Sequence, residues 1–313
     1  MVKEVHVAVG VITAADGKIF IARRADSAHQ GGLWEFPGGK VSPGETVQQA
    51  LARELEEELA IQVLHSEPLI KIRHDYGDKQ VLLDVHRVTG FTGEPVGNEG
   101  QPVQWVSRQQ LADFDFPKAN RAIIAALKLP GNMLITGDAA TEQQFFERVE
   151  GALKAGIRLV QLRVKDGGRE LSASLVDRVR ALCREHDALL LLNTSPEVFS
   201  SLSADGLHLN RYQLAQLASR PVAENRLLGA SCHNAEEILQ AKKIGVDYIL
   251  LSPVAKTTSH PDAQPLGWEK FAELAALAGC PVFALGGMHP EDLPTAKQHG
   301  GHGIAAISAW WNA

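Results

Sequence analysis

Apolar and polar positions change rhythm once along this chain, near residue 130. Before that point, segments at 5–12, 18–22, 68–73, 80–88 and 103–106 carry the apolar, β-branched-rich runs of strands. The first two flank Ala15-Asp16-Gly17, which predicts a strand pair around a turn. Between 46 and 61 the period lengthens. Val47, Leu51, Leu55 and Leu59 recur every fourth position beside Ala50, and Thr46 with Gln49 three residues on is a helix-start signal. A short amphipathic helix is expected over 119–127. Strands and helices in this order predict an α/β domain, a mixed sheet with helices on both faces.

After residue 130 the strand-like runs become continuously apolar and alternate with amphipathic helices. They fall at 133–136, 159–162, 189–192, 206–209, 227–231, 248–251, 282–285 and 304–307. Uninterrupted apolar strands are buried on both faces, so they predict a parallel sheet covered by helices. Eight of them in this length predict a compact (β/α)8 barrel, with its chemistry at the strand C-terminal ends. Gln161, Arg163, Lys165, Asn193, His208, Ser231, His233, Gly286 and Gly287 fall at those ends. Leu129-Pro130-Gly131-Asn132 is the turn-rich break between the halves, which places the domains at 1–130 and 131–313.

Composition narrows the function. Apolar content of 45% and charged content of 22% belong to an ordinary globular protein, and 313 residues suffice for two domains. A net charge of -6 argues against stable nucleic-acid binding, which wants a basic surface. Cys183, Cys232 and Cys280 are scattered and odd in number, which fits a reducing cytoplasm rather than a disulfide framework. The N-terminus lacks a signal-peptide pattern, and no apolar run suits a membrane span. Oligomer formation stays open.

The chemistry concentrates on the helix after Thr46. Glu54, Glu57 and Glu58 stand at i, i+3 and i+4 and project from one face, where like charges repel by roughly 0.2–0.5 kcal/mol per pair. Arg53 offsets part of this. A hard divalent cation, Mg2+ or Mn2+, would relieve the rest. A solvated acidic face is the plainer alternative, but the flanking residues favour a metal site. Gly39, Glu45, Arg53-Glu54-Leu55, Glu57-Glu58 and Ile61 stand at the spacing of the Nudix box, and this stretch resembles that of the Nudix hydrolases. One position departs: Ala60 stands where the family usually has Gly, and it would be strained at positive φ.

The stretches AVGVI, IARRADSAH, LWEFPGGK, GEPVGNEGQPVQW and FPKAN are similar to the MutT branch of that family. This resemblance implies an Mg2+-dependent nucleoside triphosphate pyrophosphohydrolase of nucleotide-pool sanitation. It favours 8-oxo-dGTP, attacked at the β-phosphorus to give the monophosphate and pyrophosphate. It implies metal binding by Gly38, Glu54, Glu57, Glu58 and Glu99, with Arg53 orienting the carboxylates through a bidentate pair. It also implies nucleotide contacts from Arg23, from the backbone at Phe36, Asp78 and Lys79, and from Asn120, whose amide offers a donor beside an acceptor. An Asn at 120 would equally suit a helix cap.

In the second half, VQLRVK, ADGLHL, LGASCHN, GVDYILLSPV, FALGGM and GIAAIS resemble the thiamin phosphate synthase/TenI superfamily. Synthases of that superfamily place metal-binding aspartates after the strand-three Asn and after ADGxHL. Here those positions hold Thr194 and Tyr212-Gln213, so synthase activity is not expected. TenI proteins lack it too, and some are thiazole tautomerases. The resemblance makes His233 their acid/base, while Gln161, Arg163, Lys165 and Asn193 are candidate substrate contacts by their place at the strand ends. It also expects a thiazole phosphate or other phosphorylated ligand held at Gly286, Gly287 and Ser308. Two rival readings remain: a Nudix hydrolase of a thiamin-pathway diphosphate, and a barrel that is only a regulatory module.

Overall fold

The computed structural model describes residues 4–27, 30–75, 77, 80–164, 171–257 and 264–311. The backbone divides into two compact units between Lys128 and Leu129.

The first unit contains β1 (Glu4–Ile12), β2 (Ile19–Arg23), β3 (Trp34–Glu35), β4 (Gly38–Lys40), α1 (Val47–Leu59), β5 (Gln62–Asp75), β6 (Gln80–Thr92), β7 (Val103–Val106) and α2 (Asn120–Lys128). One mixed sheet runs β4-β1-β6-β5, and a smaller antiparallel sheet runs β3-β2-β7. β1 lies parallel to β6 and antiparallel to β4. Alternation along β1 sends Ala8 and Ile12 into the core under α1, and Val9 and Val11 into the core with Ile123 and Leu127 of α2. The helices therefore cover opposite faces.

β1 and β2 do not form the expected hairpin. A lone bridge, Thr13 to Ile19, joins them, and then each strand enters a different sheet. Their alternation identified two strands but carried no partner information. Ile19 and Ile21 instead join Val9 and Val11 in one core from the other sheet.

The second unit is a closed parallel barrel of β8 (Asn132–Ile135), β9 (Leu159–Leu162), β10 (Leu189–Asn193), β11 (Gly206–Leu209), β12 (Leu227–Cys232), β13 (Tyr248–Leu251), β14 (Val282–Leu285) and β15 (Gly303–Ala306). β8 pairs with both β9 and β15, which closes the ring. Its helices are α3 (Glu142–Lys154), α4 (Ala173–Glu185), α5 (Pro196–Ser200), α6 (Arg211–Gln216), α7 (Ala235–Ile244), α8 (Gly267–Ala278), α9 (Leu293–Gln298) and α10 (Ser308–Trp311). The strands are apolar on both faces because each face is buried. Met133, Ile135, Leu159, Leu191, Tyr248, Leu250 and Phe283 share one core, while Leu134, Val160, Leu190, Leu192 and Leu207 belong to a second core with the helices. Thr141, Ser172, Ser195, Asn210 and Asn234 cap the helices that follow strands, and so fix where each loop at the barrel mouth ends. Among the described residues no helix is long and apolar enough to cross a membrane.

Candidate active sites

Thr46 and Gln49 form the expected capping box, and α1 buries Ala50, Leu51, Leu55 and Leu59. That anchoring turns Glu54 and Glu58 toward β4 and leaves Glu57 exposed. At Gly39 a Cβ would lie 2.1 Å from the Glu54 carboxyl, so any larger residue there would displace that carboxylate. The Gly38 amide donates to Glu58 Oε2 at 3.3 Å.

Arg53 organises the acids. Its Nε and Nη2 hold Glu45 at 2.9 and 3.0 Å, a bidentate pair. Nη1 reaches Glu54 Oε1 at 2.8 Å and Glu57 Oε2 at 3.3 Å, and Nη2 also donates to the Lys40 carbonyl. The carboxylates hold the Arg53 proton more firmly than usual, Glu45 first. Glu58 lies beyond this reach. Burial, with Glu35, Glu54 and Glu99 adding negative charge, pushes its carboxyl up to about 7.

The donor set suits a hard cation: carboxylates, and an acid whose charge lacks compensation. Among the described residues no three of the acidic, Cys or His side chains yet converge as a ready coordination sphere. The Arg53 guanidinium bonds both Glu54 and Glu57, and the Glu57 side chain is 60% exposed.

Sequence reasoning missed what fixes Glu99. The 96–101 loop caps the C-terminal end of α1: Val96 N donates to the Leu59 carbonyl, Asn98 N and Gln101 Nε2 to Glu58, and Asn98 Nδ2 to Glu57. These bonds span some forty residues, so no local pattern announces them. Glu35 was also passed over. It pairs with Arg24, yet burial still raises its carboxyl.

Of the residues expected to contact a nucleotide, Arg23 ends β2 and donates from Nε to Gly32 O at 3.0 Å. Phe36 is buried and stacked on Phe116. Asn120 is the first residue of α2, 8% exposed, and its side chain has no hydrogen-bond partner among the described residues, so it does not serve as a cap. Asp78 and Lys79 lie outside the described residues, as does Lys165 of the barrel.

In the barrel, Gln161, Asn193, His208 and Ser231 meet near the strand C-terminal ends. Asn193 Nδ2 faces Gln161 Oε1 at 3.4 Å, and His208 lies 3.0 Å from the Tyr248 hydroxyl and 2.8 Å from Ser231 Oγ. Burial, reinforced by the Arg163 charge, holds His208 down to about 3, which favours the neutral ring. Gly286 and Gly287 both take positive φ, 96° and 69°, and Ser308 opens α10. Arg163 is tied through its backbone to Thr136 Oγ1. His233 follows β12 at the barrel mouth and contacts Glu237.

A profile of the thiamine monophosphate synthase family matches residues 132–310, and a profile of the NUDIX domain matches residues 8–126. The chain belongs to both families: it is a Nudix hydrolase domain joined to a thiamine monophosphate synthase/TenI domain. The Nudix part is similar to the 8-oxo-dGTP diphosphatase of Escherichia coli (strain K12), 44% identical over 126 residues, which are 40% of this chain and 98% of that relative. The TenI part is similar to the putative thiamine-phosphate synthase 2 of Aquifex aeolicus (strain VF5), 39% identical over 183 residues, 58% of this chain and 98% of that one. A solved structure of MutT from Aliivibrio salmonicida and Vibrio cholerae is 41% identical, covers 40% of this chain and 97% of its own, and has a TM-score of 0.36.

Within this Nudix–TenI fusion, the structure shows the setting of two departures from family pattern. Ala60 is the C-cap of the Nudix helix at φ 57°, ψ 34°, the left-handed region that favours glycine. In the TenI domain, Gln213 is absorbed into a capping box: its Oε1 accepts from Asn210 N at 2.9 Å, and its backbone N–H donates to Asn210 Oδ1.

Proposed function

We propose that the Nudix domain hydrolyses 8-oxo-dGTP to 8-oxo-dGMP and pyrophosphate. Water attacks the β-phosphorus, the bond to the α-phosphate oxygen breaks, and the monophosphate leaves. The observation that carries this reading is the carboxylate cluster ordered by Arg53 against the Gly39 cradle, in a domain similar to an 8-oxo-dGTP diphosphatase. Glu54, Glu57, Glu58 and Glu99, with Gly38, would hold Mg2+ or Mn2+, which neutralises phosphate charge and makes water more acidic. Arg53 keeps Glu54 and Glu57 directed to one side of α1. Asn120, buried and unpaired, would present a donor and an acceptor to the purine edge, and Arg23 would contact the nucleotide. Replacing Asn120 by Ala should reduce the preference for 8-oxo-dGTP over dGTP, since each unmade buried bond costs roughly 1–3 kcal/mol. An unchanged ratio of kcat/KM values would remove Asn120 from base recognition.

For the barrel, the proposed role is TenI-like: it binds a small phosphorylated ligand such as the thiazole phosphate at the Gly286-Gly287 turn and around Ser308, with His233 moving a proton. Gln161, Arg163, Lys165 and Asn193 would contact the ligand. The attached barrel also supports a second reading, in which the Nudix domain takes a thiamin-pathway diphosphate and the barrel senses a related compound. Neither reading calls for nucleic acid or a membrane, and both place the protein in the cytoplasm.

A further inference from the structure

The proton-transfer role proposed for His233 leaves open which ring nitrogen would act and what holds it. His233 Nδ1 lies 2.8 Å from Glu237 Oε2, and the His233 backbone amide donates to the same oxygen at 2.7 Å. The other oxygen, Oε1, is 2.8 Å from Arg211 Nη2. Arg211 opens α6 after β11, and Glu237 lies in the first turn of α7 after β12, so two consecutive barrel loops meet at this carboxylate. The Glu237 side chain is 13% exposed, whereas those of His233 and Arg211 are 33% and 47% exposed.

A carboxylate paired with arginine and accepting a backbone N–H is ionised. A nitrogen lone pair cannot rest 2.8 Å from such an oxygen, so a proton must lie between them, and it belongs to Nδ1. The neutral ring is then left with its lone pair on Nε2, which has no partner among the described residues. We propose that Glu237, held by Arg211, is a positioning residue that locks His233 as the Nδ1–H tautomer and makes Nε2 the proton acceptor at the barrel mouth. This rests on the tautomerase reading of the barrel. In the step implied, Nε2 takes a proton from one ligand carbon, the imidazolium is stabilised by Glu237, and the same proton count returns at a second ligand atom. The ligand is isomerised, and no oxidant or group donor is consumed.

The direct test is 15N NMR of ring-labelled full-length protein, with the His233 signals assigned by His233→Ala. At a pH where His233 is neutral, the expected result is a protonated Nδ1 and an unprotonated Nε2. Glu237→Gln, whose amide oxygen can still accept, should keep that tautomer. Glu237→Ala should release it to a mixture dominated by Nε2–H. Asn234 still caps α7 in these variants, because Asn234 Oδ1 accepts the backbone amide of residue 237. A wild-type Nε2–H tautomer, or one unmoved in Glu237→Ala, would overturn the proposal, and the wild-type and Gln results decide it if the Ala variant fails to fold. Isomerisation of the thiazole phosphate is scored separately. Its absence with the Nδ1–H tautomer intact overturns the tautomerase reading and not the tautomer lock.

Discussion

The side-chain amide of Asn98 donates to the backbone carbonyl of Glu57 across 2.9 Å, while its own backbone amide donates to Glu58. Carbonyls in the last turn of a helix have no partner within it. Here that need is met by the loop that carries Glu99, so the bonds that cap the helix also fix that loop against it. Asn98→Ala should weaken Mn2+ binding about tenfold, as losses of ligand-orienting partners do, in an EPR titration of the full chain. Unchanged affinity would separate the loop from the metal site.

Ala60 occupies the left-handed region, which costs a residue with a Cβ roughly 1–2 kcal/mol. Ala60→Gly should therefore stabilise the Nudix domain by about 1 kcal/mol, read as a higher denaturant midpoint of its unfolding transition. A lower midpoint would show that the loss of chain entropy outweighs the relief of strain.

Glu58 carries a sign that can be checked. Its folded carboxyl titrates near 7 against an ordinary 4.5, because burial and neighbouring acids resist its ionisation. Its contribution to stability is full below about pH 4.5 and is lost as pH rises through about 7. In EDTA, Glu58→Gln should unfold at a higher temperature than wild type above pH 7, by the equivalent of up to about 3 kcal/mol, and the gap should close toward pH 4.5. Turnover should fall by orders of magnitude. A wild type as stable as the variant at pH 8 without metal would contradict the burial argument.

The barrel should not make thiamin phosphate from the pyrimidine diphosphate and the thiazole phosphate. Thr194 offers no carboxylate, and Gln213 is engaged in a helix cap. Robust product formation by the purified chain would show that other groups can support diphosphate departure.

Much of this was legible in the sequence where one physical pattern dominates. The barrel strands stood out because burial on both faces makes them uniformly apolar, and α1 because its period and capping box agree. β3 and β4, two and three residues long, are too short for any periodicity. The failed pairing of β1 with β2 has a similar cause: alternation reports a face, not a neighbour. In the sites, residue types were readable but their partners were not. Arg53 was expected to orient carboxylates, yet Glu45 as its bidentate partner emerged only in the fold. The Asn98 cap and the Arg211–Glu237 contact join segments that are distant in sequence and carry no local signature.

The central claim is that the Nudix domain is built to cleave an oxidised purine triphosphate. The most direct measurement is a competition assay of the full chain with Mg2+, in which 8-oxo-dGTP, dGTP and the thiamin-pathway diphosphates are supplied together and products are resolved by mass. The expected result is selective conversion of 8-oxo-dGTP to 8-oxo-dGMP and pyrophosphate, lost in Glu57→Gln. Preferential consumption of a thiamin-pathway diphosphate, or activity retained within a few fold in Glu57→Gln, would contradict it.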